Sequence, residues 1–160
     1  MITTRERNPE RSRIRILDAA FGEFAEKGYA GARVEAIAKR AGLNKQLISH
    51  HFGGKEALYR AVLDERFARP GGELKAPGDS GLAAMFDRAA NDTMWARLLM
   101  WEALEGLEPA VADRRRDRYR ERVGMVRAAQ EAGQLPADMD PEMLLLTLFG
   151  AAVYPLRRTA

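Results

Sequence analysis

Apolar residues recur along this chain at the spacing of one helix face, and glycine and proline cut the pattern into segments. Ile14, Leu17, Ala20 or Phe21, and Phe24 follow i, i+3, i+7, i+10, the mark of one buried stripe. Asn8 suits an N-cap, Pro9 the first helical position, and Gly28 a C-terminal stop, which places a first helix at about 9–27. Shorter helices are expected at about 33–41 and 45–51, broken by Gly42 and by Gly53-Gly54. A fourth runs from Lys55 to about 69. The Pro- and Gly-dense segment 69–81 reads as a loop. Further helices are expected at 82–90, 92–106, 109–132 and 141–154. No stretch alternates convincingly with a strand period, so the fold class is all-α.

With no cysteine in the chain, disulfides and thiol chemistry are excluded, and the chain suits a reducing cytosol. The longest apolar run, 143–154, is shorter than the roughly 18 residues a membrane span needs. A cytoplasmic protein is expected. The net charge of +3 is unevenly spread. Residues 1–69 hold 14 Lys and Arg against 9 Asp and Glu, and residues 70–160 hold 12 against 14. A basic N-terminal part on a near-neutral remainder points towards a polyanion, although a solvated surface shows the same excess. Arg5, Arg7, Arg11 and Arg13 suit a flexible arm that adds phosphate or minor-groove contacts, or a solvated tail.

The stretch AKRAGLNKQLISHHFGGKE, residues 38–56, has the requirements of two helices crossing at a tight turn. Gly42 supplies a backbone position that tolerates positive φ, Ala38 permits close approach, and Asn44 can cap the second helix. Ile37, Leu43 and Ile48 can hold the pair together. Two ordinary packed helices share this pattern. The polar outer side of the second, with Lys45, Gln46, Ser49 and His50, is what a helix in a DNA major groove requires. His50 and His51 point about 100° apart on a helix, and the chain has no third histidine. Neither a metal site nor a catalytic site is expected there, no nucleophile motif is present, and no cofactor is implied.

Residues 11–67 resemble the DNA-binding domain of the TetR family of bacterial transcriptional regulators. The resemblance rests on Ile16-Leu17-Asp18-Ala19-Ala20, Phe24, Gly28-Tyr29, Val34-Glu35-Ala36-Ile37-Ala38, Ala41-Gly42-Leu43-Asn44-Lys45, Ile48-Ser49-His50-His51-Phe52 and Gly54-Lys55-Glu56-Ala57-Leu58-Tyr59. It implies a three-helix helix-turn-helix DNA-binding domain at 1–54. A helical ligand-binding and dimerisation bundle follows at 55–160, with helix 55–69 as connector. By this resemblance Lys45, Gln46, Leu47, Ser49 and His50 face the bases, while Arg33, Asn44, His51 and Lys55 lie near phosphates. The family usually has Thr or Ser where this chain has Ala32 and Arg33, so a local cap on the second helix is missing. The implied protein is a homodimeric repressor on a palindromic operator, released by a small apolar or amphipathic effector. The alternative is a ligand-binding or interaction protein of the same fold without a specific operator.

For the effector pocket, Phe86, Met94, Trp95, Leu98, Trp101, Tyr119 and Met125 are bulky candidates, although any helical bundle needs such residues in its core. Leu144, Leu145, Leu148 and Ala152 are the expected dimer residues on the last helix. Family members usually continue for another helix, so either this is a short member or a piece is missing, and a dimer with a smaller or altered four-helix interface is expected. Arg114, Arg115, Arg116, Arg118, Arg120 and Arg122 alternate with Asp113, Asp117 and Glu121, the pattern of an exposed, salt-bridged face.

Overall fold

A computed structural model of the chain describes residues 9–68, 91–106 and 112–153, the side chains of residues 112, 152 and 153 excepted. Among these are seven helices and no strand: α1 (Pro9–Gly31), α2 (Val34–Ala41), α3 (Lys45–Phe52), α4 (Lys55–Ala68), α5 (Thr93–Leu104), α6 (Ala112–Glu131) and α7 (Pro141–Val153). The helix expected at 82–90, the loop at 69–81 and Pro109 lie outside the described residues. Two compact units divide the chain. The first draws on 1–66 and 97–111, the second on 67–96 and 112–160. The helices α4 and α5 therefore each contribute to both units, and the first unit extends beyond residue 54.

The first unit is built on Ile16, Leu17, Ala20, Phe24, Ile37, Ala38, Ile48, Leu58, Val62, Leu63 and Leu98, all buried. The inward stripe of α1 begins at Ile16 rather than at Ile14, which is 50% exposed. Both residues share the apolar spacing, and only the position of the neighbouring helices decides between them. The ring of Phe24 meets Tyr59 edge-on at 5.0 Å, and Tyr59 lies 5.1 Å from Tyr29.

The helical path of α1 breaks at Gly28, whose φ of 70° and ψ of 177° leave the helical region. Glu105, just beyond α5, receives the freed N–H groups of Tyr29 and Ala30, each at 3.0 Å. On the other side of the break, Arg97 donates to the Ala25 carbonyl at 3.2 Å and the Glu26 carbonyl at 3.4 Å. The anion meets the N–H groups that restart the helix, and the cation meets the carbonyls that end it. A Cβ on Gly28 would lie 2.5 Å from the Glu105 carboxylate and 3.0 Å from the Trp101 ring.

At the start of α2 the local cap is missing as expected: Arg33 is extended (φ −121°, ψ 131°) and makes no side-chain cap bond. Glu23 of α1 supplies a partner from a distance, accepting from the Arg33 backbone N–H. Burial works to raise the Glu23 carboxyl. Its hydrogen bond and ion pair with Lys27, at 2.8 Å, then the Arg33 N–H and the charge of Arg40, outweigh burial and hold it below the usual range.

The second unit pairs α6 with α7. Val123, Val126, Leu144 and Leu145 form its core, with Tyr119, Leu135 and Leu148 packed against them. Gln130 ties the connecting loop, donating to the carbonyls of Pro136 and Met139 at 2.7 Å each. Asp140 caps α7 by accepting from the Glu142 and Met143 N–H groups at 2.9 and 3.0 Å.

Gly28→Ala should destabilise the chain by about 2 kcal/mol through the positive φ and the Trp101 contact. Thermal melting should show this as a drop of roughly 4–8 °C. Glu23→Gln should cost about 2 kcal/mol at neutral pH. The folded Glu23 value lies below its ordinary 4.5, so its contribution is full above that value and fades as pH falls through the folded value. Denaturant melts should show the gap between wild type and Glu23→Gln closing in acid.

Candidate nucleic-acid interface

At eight residues, α3 presents two contrasting sides. Ile48 is fully buried and anchors it to the first unit, while Lys45, Gln46, Ser49 and His50 are exposed and Leu47 is half-buried. Asn44 caps the helix by accepting from the Gln46 N–H at 3.0 Å. The amide nitrogen of the same side chain is a donor. The turn before it has the geometry that only glycine takes without strain: Gly42 has φ 62° and ψ 37°. Its N–H bonds to the Lys39 carbonyl at 3.1 Å and the Leu43 N–H to the Ala38 carbonyl at 3.0 Å, closing the end of α2. Arg15 of α1 donates to the Ala41 carbonyl at 2.5 Å, and a Cβ on Gly42 would crowd its guanidinium.

The residues expected near phosphates are arranged as follows. Arg33 is exposed at the start of α2. Half-buried Lys55 donates to the Ala30 carbonyl at 3.3 Å and sits 4.7 Å over the Tyr29 ring. His51 is half-buried, its ring 5.5 Å from His50 and 6.2 Å from Phe52. The Arg13 guanidinium lies 5.7 Å over Phe52, which brings a basic residue of α1 to the end of α3. Lys45 is paired with Glu35 of α2, Nζ to Oε1, at 2.5 Å. That pair was not foreseen: the two residues are ten apart, and only the crossing of α2 and α3 brings them together. Among the described residues no group of three or more His, Cys, Asp and Glu is placed to hold a metal ion.

The bulky residues expected to line a pocket separate into groups. Leu98 is fully buried and Trp101 packs against Gly28, both within the first unit. Met94, Trp95, Tyr119 and Met125 are half-buried in the second unit, where Trp95 meets Phe67 edge-on at 5.0 Å. The Tyr119 hydroxyl is pushed up by burial and then by the Glu142 and Asp140 carboxylates. Phe86 lies outside the described residues, as does the Ala152 side chain. Leu144 and Leu145 are buried against α6 of their own chain, and Leu148 packs on them. The side of α7 turned away from α6 carries Met143, 60% exposed, and Leu146, 54% exposed.

The arginines of α6 divide in the same manner. Arg114, Arg116 and Arg120 are exposed, and Arg116 pairs with Asp113 and Arg120 with Asp117. Arg115, Arg118 and Arg122 share the opposite, half-buried side. Arg118 donates to the Phe67 carbonyl at 2.9 Å and pairs with Glu121. The guanidiniums of Arg115 and Arg122 lie 4.9 Å over the Phe67 ring and 5.4 Å over the Phe149 ring. An exposed, ion-paired face thus accounts for only half of the run. The alternation of charge hid Arg115 and Arg122, which lie over aromatic rings, and Arg118, which caps a backbone carbonyl.

Among the described residues no helix is long and apolar enough to cross a membrane. The family profile described as bacterial regulatory proteins, tetR family, matches residues 16–62. A second, described as tetracyclin repressor-like, C-terminal domain, matches residues 82–160. The chain is similar to the HTH-type transcriptional repressor SCO4008 of Streptomyces coelicolor, with 34% identity over 88% of this chain and 76% of that protein. It is also similar to the HTH-type transcriptional repressor NicS of Pseudomonas putida, with 30% identity over 81% of this chain and 66% of NicS. Among solved structures, the TetR transcription regulatory protein from Mycobacterium vanbaalenii superposes with a TM-score of 0.69 at 27% identity, over 91% of each chain. Fold, turn geometry and these likenesses agree, and the chain belongs to the TetR family of transcriptional regulators, which are not enzymes.

Proposed function

We propose that this regulator is a repressor that binds a palindromic operator as a homodimer and leaves it when a small apolar or amphipathic molecule occupies the second unit. The observation that carries the reading is the division of α3. One fully buried anchor, Ile48, leaves the side chains of Lys45, Gln46, Ser49 and His50 open to a major groove. Lys45 is chemically suited to guanine and Gln46 to adenine, while half-buried Leu47 offers an apolar edge to a thymine methyl. Arg33, Asn44, His51 and Lys55 are assigned to the flanking phosphates. Lys55 uses one of its three donors on Ala30 and keeps two for a phosphate at the start of α4.

In this reading the functional division is a reading head at 1–54 and a sensing and dimerising part at 55–160. Met94, Trp95, Tyr119 and Met125 line the effector site from the second unit. The dimer forms along α7. Leu144, Leu145 and Leu148 hold that helix to its own chain, while Met143 and Leu146 face the partner, since an exposed apolar face of this kind calls for cover. Effector binding is read out through α4 and α5, the helices that belong to both units, and the separation of the two reading heads changes.

Selection of bound fragments from a random duplex pool at near-physiological salt should recover a palindrome with half-sites about one helical turn apart. No enrichment by folded protein would overturn the operator reading. On the recovered operator, Gln46→Ala should weaken binding by about tenfold or more per half-site. Because glutamine carries no charge, affinity for unrelated DNA and the salt dependence should hold steady. Equal losses on both DNAs would remove Gln46 from base reading.

A further inference from the structure

Glu35 stands on the same exposed surface as the groove-facing side chains, and a carboxylate there repels the phosphates of any DNA that approaches. It lies in the first turn of α2, where the helix N-terminus favours an anion. The hydrogen bond from Lys45 first, then the backbone N–H of Glu35 itself and the charges of Lys45 and Arg33, hold its carboxyl below the usual range. The charge is therefore present wherever DNA binding is measured.

An exposed ion pair adds little to folding stability. Its effect on Lys45 is larger. A lysine ammonium on a four-carbon stem is a mobile point charge that settles on whatever phosphate is nearest. With the Glu35 carboxylate at 2.5 Å, a phosphate that approaches the Lys45 ammonium meets a second anion beside it and is repelled. A neutral base acceptor on the floor of the groove meets no such repulsion. The ammonium has three donors, so one can stay on Glu35 while another meets guanine O6 or N7.

We propose that Glu35 is a specificity-determining residue, which positions Lys45 for base edges by penalising its contact with phosphates. This rests on the reading of Lys45 as groove-facing. Glu35→Gln keeps the shape, removes the charge and frees Lys45. Its binding to the selected operator and to an unrelated duplex of equal length should be compared across a salt titration. Affinity for unrelated DNA should rise about fivefold near 0.15 M salt, because one further released counterion steepens the log K against log salt slope by about 0.9. Operator affinity should rise less, so the specificity ratio falls. In a Lys45→Ala background the same substitution should leave the ratio unchanged. An equal gain on both DNAs, no gain on either, or a falling ratio that persists without Lys45 would each overturn the role. If wild type itself fails to prefer the operator, the operator reading fails, and that result is distinct from a discriminating wild type with an indifferent Glu35→Gln variant.

Discussion

An eight-residue helix does not hold itself together in water, so α3 exists only because one side of it is docked. Ile48 is that dock, fully buried. The rest of the candidate interface depends on it. The direction in which Lys45, Gln46, Ser49 and His50 point is fixed by the rotation of α3 about that anchor. The Asn44 cap and the left-handed Gly42 set where the helix begins. A short helix with one strong anchor leaves most of its circumference polar without loss of core.

Around this anchor, the helix ends of the first unit are satisfied from afar. Arg15 reaches from α1 to the carbonyl that ends α2, and Glu23 reaches to the N–H at the start of α2. Arg97 and Glu105 straddle the break in α1. Each of these groups places a full charge on the matching end of a helix dipole in a partly dry setting, where such contacts are stronger than on an open surface. The unit is thereby stitched together by charged side chains at its corners as well as by the apolar interior.

Much of this was legible from residue spacing. The helical segments, the glycine stops at 42 and 53, the Asn44 cap and the polar outer side of α3 follow from local chemistry, and the structure has them. Ile14 was misplaced because periodicity alone cannot say which of two neighbouring apolar residues faces inward. The long-range caps escaped notice for a different reason. Glu105 and Tyr29 are 76 residues apart, and nothing local to either one announces the other. In α6 the repeated charges suggested solvent, yet Arg115 and Arg122 lie over aromatic rings, a choice made by neighbours distant in sequence. Leu144 and Leu145 were expected at a partner, and the packing of α6 gave them a partner within the chain.

The clasp at Gly28 bears on how such regulators can be recombined. An N-terminal segment cut at residue 54 and grafted onto another helical bundle leaves Glu105, Arg97 and Trp101 behind. The graft would carry a bend with two uncovered N–H groups and a glycine chosen to fit a tryptophan that is no longer there. In this chain the portable module is discontinuous, and a working chimaera must transplant residues 97–105 together with the segment that they grip.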